Sequence, residues 1–231
     1  CASTHFLVCI EPDTYNLVIT FHSIKKNYAI TEILEIKNIS LSYHYLKRIA
    51  MKHGFVRVGA GIPEIRVADT QYNVEEIEKL ILKAQAQGIE ILVTPELGLT
   101  GYTCQDLFFQ QTLLEEAEVA LMKLMDFTRS MDMIIVVGMP LACNTGLANC
   151  AVVLQKGKIQ GVVAKTYLPN HKECAEKRWF TSIHDFKETK LWLCGDLVEI
   201  TQYRIFNTPS CSFAIEIGQD LTAPVPPSSQ L

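Results

Sequence analysis

A carboxylate and an ammonium group stand out because each lies just past an apolar run. Glu96 follows Ile89 to Val93, which reads as a short buried strand stopped by Pro95. Lys165 follows Ile159 to Val163 in the same way, and a third run, Phe213 to Ile217, ends at Gly218. Sheets of α/β proteins keep their ligands beyond the carboxyl ends of their strands. The three tips are therefore candidate walls of one cavity. There a glutamate serves as general base and a lysine steadies an oxyanion around a nucleophile. Pro95, Gly98 and Gly101 force a turn that fixes Glu96 on a corner of backbone rather than on a free loop. The plainer readings are a surface glutamate beside a proline turn and a solvated lysine at a strand end.

The elements that must position these groups follow from periodicity. Phe55-Val56-Arg57-Val58-Gly59-Ala60 predicts the first strand. Asn73 is the expected N-cap of a helix through Gln87, with Glu75 and Glu76 in its first turn and Ile77, Leu80, Ile81 and Ala84 on one face. Thr112 to Ser130 predicts a second helix around Leu113, Leu114, Ala117, Ala120, Leu121 and Leu124. Met133 to Met139 reads as a buried strand closed by Pro140. Asn149 to Gln155 and Ile159 to Val163 flank Lys156-Gly157-Lys158, a hairpin signal. A polar, loop-rich stretch covers His171 to Thr189, and Leu191 to Leu193 and Val198 to Ile205 are short strand candidates. Strand, helix, strand, helix, strand and then a hairpin predicts an α/β sandwich with mixed strand order, not a doubly wound parallel sheet. No GxGxxG, GxxxxGK[ST] or GxSxG pattern occurs, so nucleotide-binding and serine-hydrolase readings find no support.

Composition narrows the rest. The 231 residues are 48% apolar and 20% charged, enough for one sizeable core. A net charge of −4 without a basic stripe argues against nucleic acid or an anionic membrane as partner. No apolar run approaches the ~18 residues of a membrane span, and Glu11 and Asp13 interrupt the early apolar stretch where a signal peptide would lie. Eight cysteines and six histidines are scattered, with no CxxC pair and no metal-ligand spacing. They read as reduced thiols and non-ligands of a cytoplasmic protein that holds no metal. Residues 1–50 contain no glycine and show no clear period. They are expected to be a non-homologous extension, or sequence translated upstream of a start at Met51, with little stable structure. Residues 51–231 are then the domain.

Four segments carry a resemblance. Thr94-Pro95-Glu96-Leu97 with Leu99-Thr100-Gly101-Tyr102, Lys165-Thr166-Tyr167-Leu168-Pro169-Asn170, Glu176-Lys177-Arg178-Trp179-Phe180, and Glu216-Ile217 with Asp220-Leu221 and Pro226-Pro227-Ser228-Ser229 together resemble the nitrilase-type carbon–nitrogen hydrolases. The longer Gly-Tyr-Thr-Cys-x-Asp-Leu-Phe from Gly101 and the Glu-Lys-Arg-Trp-Phe from Glu176 are most similar to the glutaminase domain of glutamine-dependent NAD synthetases. The resemblance implies an α-β-β-α sandwich with mixed sheets, cut short at its C-terminus. In such enzymes a cysteine attacks the side-chain amide of glutamine and forms a thioester, and the released ammonia passes to a synthetase domain that uses ATP and magnesium. That second domain is expected to be missing here, and no cofactor is expected in the amidase domain itself. Carried over by motif, Glu96 is the general base that takes the thiol proton. Lys165 holds the oxyanion, Glu173 is the supporting glutamate with Glu176 as runner-up, and Tyr102 lines the glutamine pocket. A complete domain of this kind is expected to form a homo-oligomer.

One position departs from the family pattern. Glu216-Ile217-Gly218-Gln219-Asp220 places glycine where the nucleophilic cysteine belongs. Cys211 lies seven residues upstream, roughly 23 Å along an extended strand, and Cys104 matches a position outside the triad. The chain is therefore expected not to hydrolyse glutamine. The alternative is a non-catalytic relative that binds an amide or a partner through the same pocket.

Overall fold

A computed structural model describes residues 6–11, 17–18, 56–171, 174–208 and 211–231. In chain order its strands and helices begin with β1 (Phe6–Glu11), β2 (Leu17–Val18), β3 (Val58–Ala60), α1 (Thr70–Ala86), β4 (Ile91–Val93) and α2 (Gln111–Phe127). Then come β5 (Ile134–Ala142), β6 (Leu147–Gln155), β7 (Lys158–Ala164), β8 (Asn170–His171), β9 (Cys174–Ala175) and the single turn α3 (Glu176–Trp179). β10 (Lys190–Leu193), β11 (Asp196–Thr201), β12 (Phe206–Asn207) and β13 (Ser212–Ile217) complete the set.

The larger sheet runs β10-β11-β7-β6-β5-β4-β3. β3, β4 and β5 are parallel, and β6 is antiparallel to both of its neighbours. The order is mixed, as the hairpin requires. Lys156 and Gly157 form its two-residue turn at φ 52° and 70°, the twisted geometry that a tight hairpin needs. Pro140 lies inside β5 rather than closing it, opposite Asn149. β4 pairs only as far as Val136. Beyond that point the Gly138 carbonyl faces the vacated side and accepts from Leu99 N–H. Pro140, two residues on, faces the same way, so its missing N–H takes nothing from the ladder with β6.

α1 and α2 cover one face of this sheet. They bury Val74, Ile77, Ile81, Ala117, Leu121 and Leu124 against Leu92, Ile135, Val137, Val152 and Val162. The alternate residues Ile91, Val93, Val136, Val153 and Val163 point to the opposite face and meet Phe213, Ile215 and Ile217 of a second sheet, β12-β13-β1-β2. Strands buried on both faces read as continuous apolar runs, which is why period two was invisible in them. The described residues thus form helix, sheet and sheet of the expected α-β-β-α sandwich.

Two local expectations need correction. The cap of α1 is Asp69, whose carboxylate accepts from Tyr72 N–H. Asn73 lies inside the helix, fully buried. Its amide donates to the Arg66 and Leu99 carbonyls and accepts from Arg66 N–H, and a partner 26 residues away outweighed the local cap signal. The second correction concerns residues 1–50. The backbone of Phe6–Glu11 is a strand, paired from Phe6↔Ile217 to Glu11↔Ser212. β12 pairs with only two residues of β13, and β1 occupies the other edge, which would otherwise stay unpaired. Phe55 and Met51 lie outside the described residues. No helix among the described residues is long and apolar enough to cross a membrane.

Candidate active site

Glu96 is placed by a compact set of turns after β4. Gly98 N–H donates to the Pro95 carbonyl, and both Thr100 and Gly101 N–H donate to that of Leu97, which sits at φ 53°. A non-glycine residue in that region is strained and persists only where its surroundings hold it. β5 provides the hold, because Gly138 lets the turn lie directly on the strand. A Cβ at 138 would come within 2.6 Å of the Pro95 carbonyl oxygen.

This places Glu96 on Lys165. The Lys165 ammonium lies 2.6 Å from Glu96 Oε1 and 2.8 Å from Glu176. Asn149 Nδ2 donates to the same Glu96 oxygen at 2.6 Å, and the Tyr102 hydroxyl donates to Glu176 Oε1 at 2.6 Å. Glu96, Lys165 and Glu176 are all buried. Burial alone would push the Lys165 amine down, but Glu96 and Glu176 beside it hold it above the usual lysine range. Burial, and then the charge of Glu96, raise Glu176. Burial first, and then Glu176, raise Tyr102 well above the ordinary tyrosine range. Lys165 is thus a fixed cation, able to face a developing negative charge and unable to take a proton. The second oxygen of Glu96, Oε2, lies toward position 218.

Gly218 is the third wall. It follows β13 at φ 54°, and an ideal Cβ there would lie 2.9 Å from Glu96 Oε2 and 3.0 Å from Lys165 Nζ. A side chain at this position would begin between the Glu96 carboxylate and the Lys165 ammonium. Asp220 sets the distance. Its buried carboxylate accepts from Thr166 N–H at 3.1 Å and Tyr167 N–H at 2.6 Å, the two residues after Lys165. Burial pushes its pKa up to about 7 despite those donors. The chain then folds back: Tyr167 donates its hydroxyl proton to the Val225 carbonyl, and Ser228 N–H donates to Glu216 Oε1 at 2.7 Å.

The structure therefore brings together Glu96, Lys165, Tyr102 and the turn at Gly218. Of the two glutamates considered as support, Glu176 is seated on Lys165, while Glu173 lies outside the described residues. Cys211 sits at the far end of β13, bonded to Thr208, and the buried Cys104 thiol donates to the Thr100 carbonyl. Neither is bonded to Glu96, whose partners are Asn149 and Lys165. Sequence reading missed Asn149, Asp220 and Gly138. A polar residue opening an apolar strand and a glycine in mid-strand were the available signals. Among the described residues no group of three or more His, Cys, Asp or Glu could hold a metal ion.

The sequence pattern of carbon-nitrogen hydrolases matches residues 57–220. The glutamine-dependent NAD(+) synthetase of Mycobacterium tuberculosis is 32% identical over 184 residues, covering 78% of this chain and 27% of that protein. The synthetase of the same name from Aquifex aeolicus is 35% identical over 114 residues, 49% of this chain and 20% of its own length. Among solved structures, the glutamine-dependent NAD(+) synthetase from Cytophaga hutchinsonii superposes with a TM-score of 0.60 at 27% identity, over 66% of this chain and 26% of that one. An amidase from Nesterenkonia sp., with a covalent acetamide group at its active-site cysteine, shares the fold at a TM-score of 0.53 and 18% identity, over 68% of this chain and 53% of its own. The chain spans about a quarter of the length of the mycobacterial relative.

Proposed function

The chain belongs to the carbon–nitrogen hydrolase family, and we propose that Glu96, Lys165 and the turn at Gly218 are a glutaminase centre of the kind that supplies ammonia for ATP-dependent NAD synthesis, here without its nucleophile. The supporting observation is the placement of position 218, whose Cβ would stand 2.9 Å from Glu96 Oε2 and 3.0 Å from Lys165 Nζ. With a thiol at that position, Glu96 takes the thiol proton and the sulfur attacks the amide carbon. The carbonyl oxygen becomes an oxyanion beside Lys165. Collapse expels the nitrogen, which takes the proton from Glu96 and leaves as ammonia. Water, deprotonated by Glu96, then cleaves the thioester. Glu176 holds Lys165 in place, Tyr102 donates to Glu176, and the family pattern assigns Tyr102 to the amide pocket. ATP and magnesium act in the synthetase unit of such enzymes, not at this centre.

Glycine offers no atom that can attack, so on this reading the chain does not turn glutamine over. The test is ammonia release from glutamine by the chain and by Gly218→Cys. Turnover is expected only for the variant; equal turnover by the two would overturn the reading. The new residue occupies the left-handed region at φ 54°, which costs about 1–2 kcal/mol, so its folding is checked by circular dichroism beside the assay. Saturable glutamine binding to Gly218→Cys without ammonia would favour the second reading, a non-catalytic amide-binding relative.

A further inference from the structure

α3 is one turn, four residues long. A single turn cannot hold itself together, because nucleation fixes several residues for one hydrogen bond. Yet it carries Glu176, whose burial is opposed both by desolvation and by the neighbouring charge of Glu96. Something must keep this carboxylate from swinging into water. On its inner side the turn meets Lys165 and Tyr102. On its outer side Arg178 Nε and Nη2 donate to the two oxygens of Asp106, each at 2.7 Å, and Trp179 Nε1 donates to Asp106 Oδ1 at 2.9 Å. Phe108 packs between Trp179 and Phe180, with ring centroids 6.1 Å and 4.9 Å away. Asp106 is four residues from Tyr102 on the same loop, so that loop grips the turn at both ends.

We propose that Asp106 is a positioning residue that, from the protein surface, holds the Glu176–Trp179 turn so that Glu176 stays seated on Lys165. The two motifs most specific to the resemblance, Gly101 to Phe108 and Glu176 to Phe180, are then the two halves of one clamp. Three donor groups on one carboxylate leave it deeply acidic, held far below the usual range first by Arg178 and then by Trp179. A bidentate guanidinium–carboxylate pair also fixes orientation in a way that a lysine would not. The effect on catalysis rests on the glutaminase reading above; the effect on geometry does not.

The geometric half is tested in the chain as it exists, by ultraviolet titration of its eight tyrosines. With the clamp intact, Tyr102 stays protonated through the range where free tyrosines ionise. In Asp106→Ala, Glu176 is released, its charge no longer helps to hold the Tyr102 phenol up, and one tyrosine ionises at a lower pH than in the parent chain. Arg178→Lys, which keeps the charge but loses the fork, gives an intermediate shift. Glu199→Gln, which breaks the exposed Arg204–Glu199 pair elsewhere, gives none. A tyrosine titration unchanged in Asp106→Ala and Arg178→Lys overturns the proposal, as does one in which several tyrosines move together with the urea midpoint, since that reports general loosening. The catalytic half is read in Gly218→Cys. There Asp106→Ala lowers kcat by up to about 100-fold, the effect of a displacement of about 1 Å, with KM changed much less. A kcat within about two-fold overturns that half, on the same scale. If Gly218→Cys shows no turnover at all, the glutaminase reading fails, and the tyrosine titration alone decides the clamp.

Discussion

The two halves of the site are built differently. Glu96, Asn149 and Lys165 belong to the ends of β4, β6 and β7 in the seven-stranded sheet, where one continuous backbone ladder fixes their spacing. The turn at Gly218 belongs to the second sheet, and Glu176 to an isolated helical turn. These two reach the first half largely through side chains: Asp220 to the Thr166 and Tyr167 amides, Glu176 to Lys165, Tyr102 to Glu176, and Asp106 to Arg178 and Trp179, beside backbone bonds from Glu176 N–H to the Pro169 carbonyl and from Thr181 N–H to that of Leu147. One half is set by the fold, whereas the other is set by a handful of polar ties. Substitutions on the first half should therefore register as loss of stability, and on the second as loss of geometry.

The sharpest way to break this contrast is to remove the shared cation. Lys165→Ala leaves Glu96 and Glu176 buried without a countercharge, and should destabilise by about 3–5 kcal/mol in urea unfolding. A loss below about 1 kcal/mol would mean that the pair is solvated and the ladder does not isolate it. Next comes Asp220→Ala, which orphans buried backbone donors and should cost about 1–3 kcal/mol. In Gly218→Cys the same change should reduce ammonia release more than it reduces stability.

Asp220 also predicts a pH dependence. Its folded pKa of about 7 lies above the ordinary carboxylate value near 3.8 that the unfolded chain retains. Between these values the folded state binds the extra proton, so the contribution of this group to stability falls as pH rises from about 4 to about 7, and is flat above. Denaturation across that range should show the slope, and Asp220→Asn should remove it. Tyr102→Phe, which loses one hydrogen bond to Glu176, should cost about 1 kcal/mol. The smallest stability effect belongs to Asp106→Ala. An exposed ion pair contributes little to stability, so a small change in urea midpoint together with a displaced Tyr102 titration would set the two halves apart.

Much of this was legible in order along the chain. Apolar runs that stop at Pro95, Lys165 and Gly218 mark strand tips whatever the neighbours are, because burial dictates an apolar run and chemistry dictates the polar residue that ends it. The hairpin at Lys156-Gly157 was equally local, since a tight turn needs positive φ and glycine supplies it. Asn73 was misjudged because a cap and a buried bridge use the same side chain, and only its partners at Arg66 and Leu99 distinguish them. Spacing ranked Glu173 ahead of Glu176, and a count along the chain could not see the one-turn helix that seats Glu176 on the lysine.

By itself, then, the sequence determined which residues could do chemistry, which strands would be buried, and that position 218 holds no attacking atom. Only the tertiary structure decided that Asn149 and Asp220 belong to the site, for their partners lie 53 and 54 residues away. It likewise decided that Glu96 Oε2 and the Lys165 ammonium meet at the spot a Cβ on residue 218 would occupy. The physical reason is range. Periodicity and turn chemistry act over a few residues, whereas burying a lysine between two carboxylates is affordable only where packing from both sheets has already excluded water.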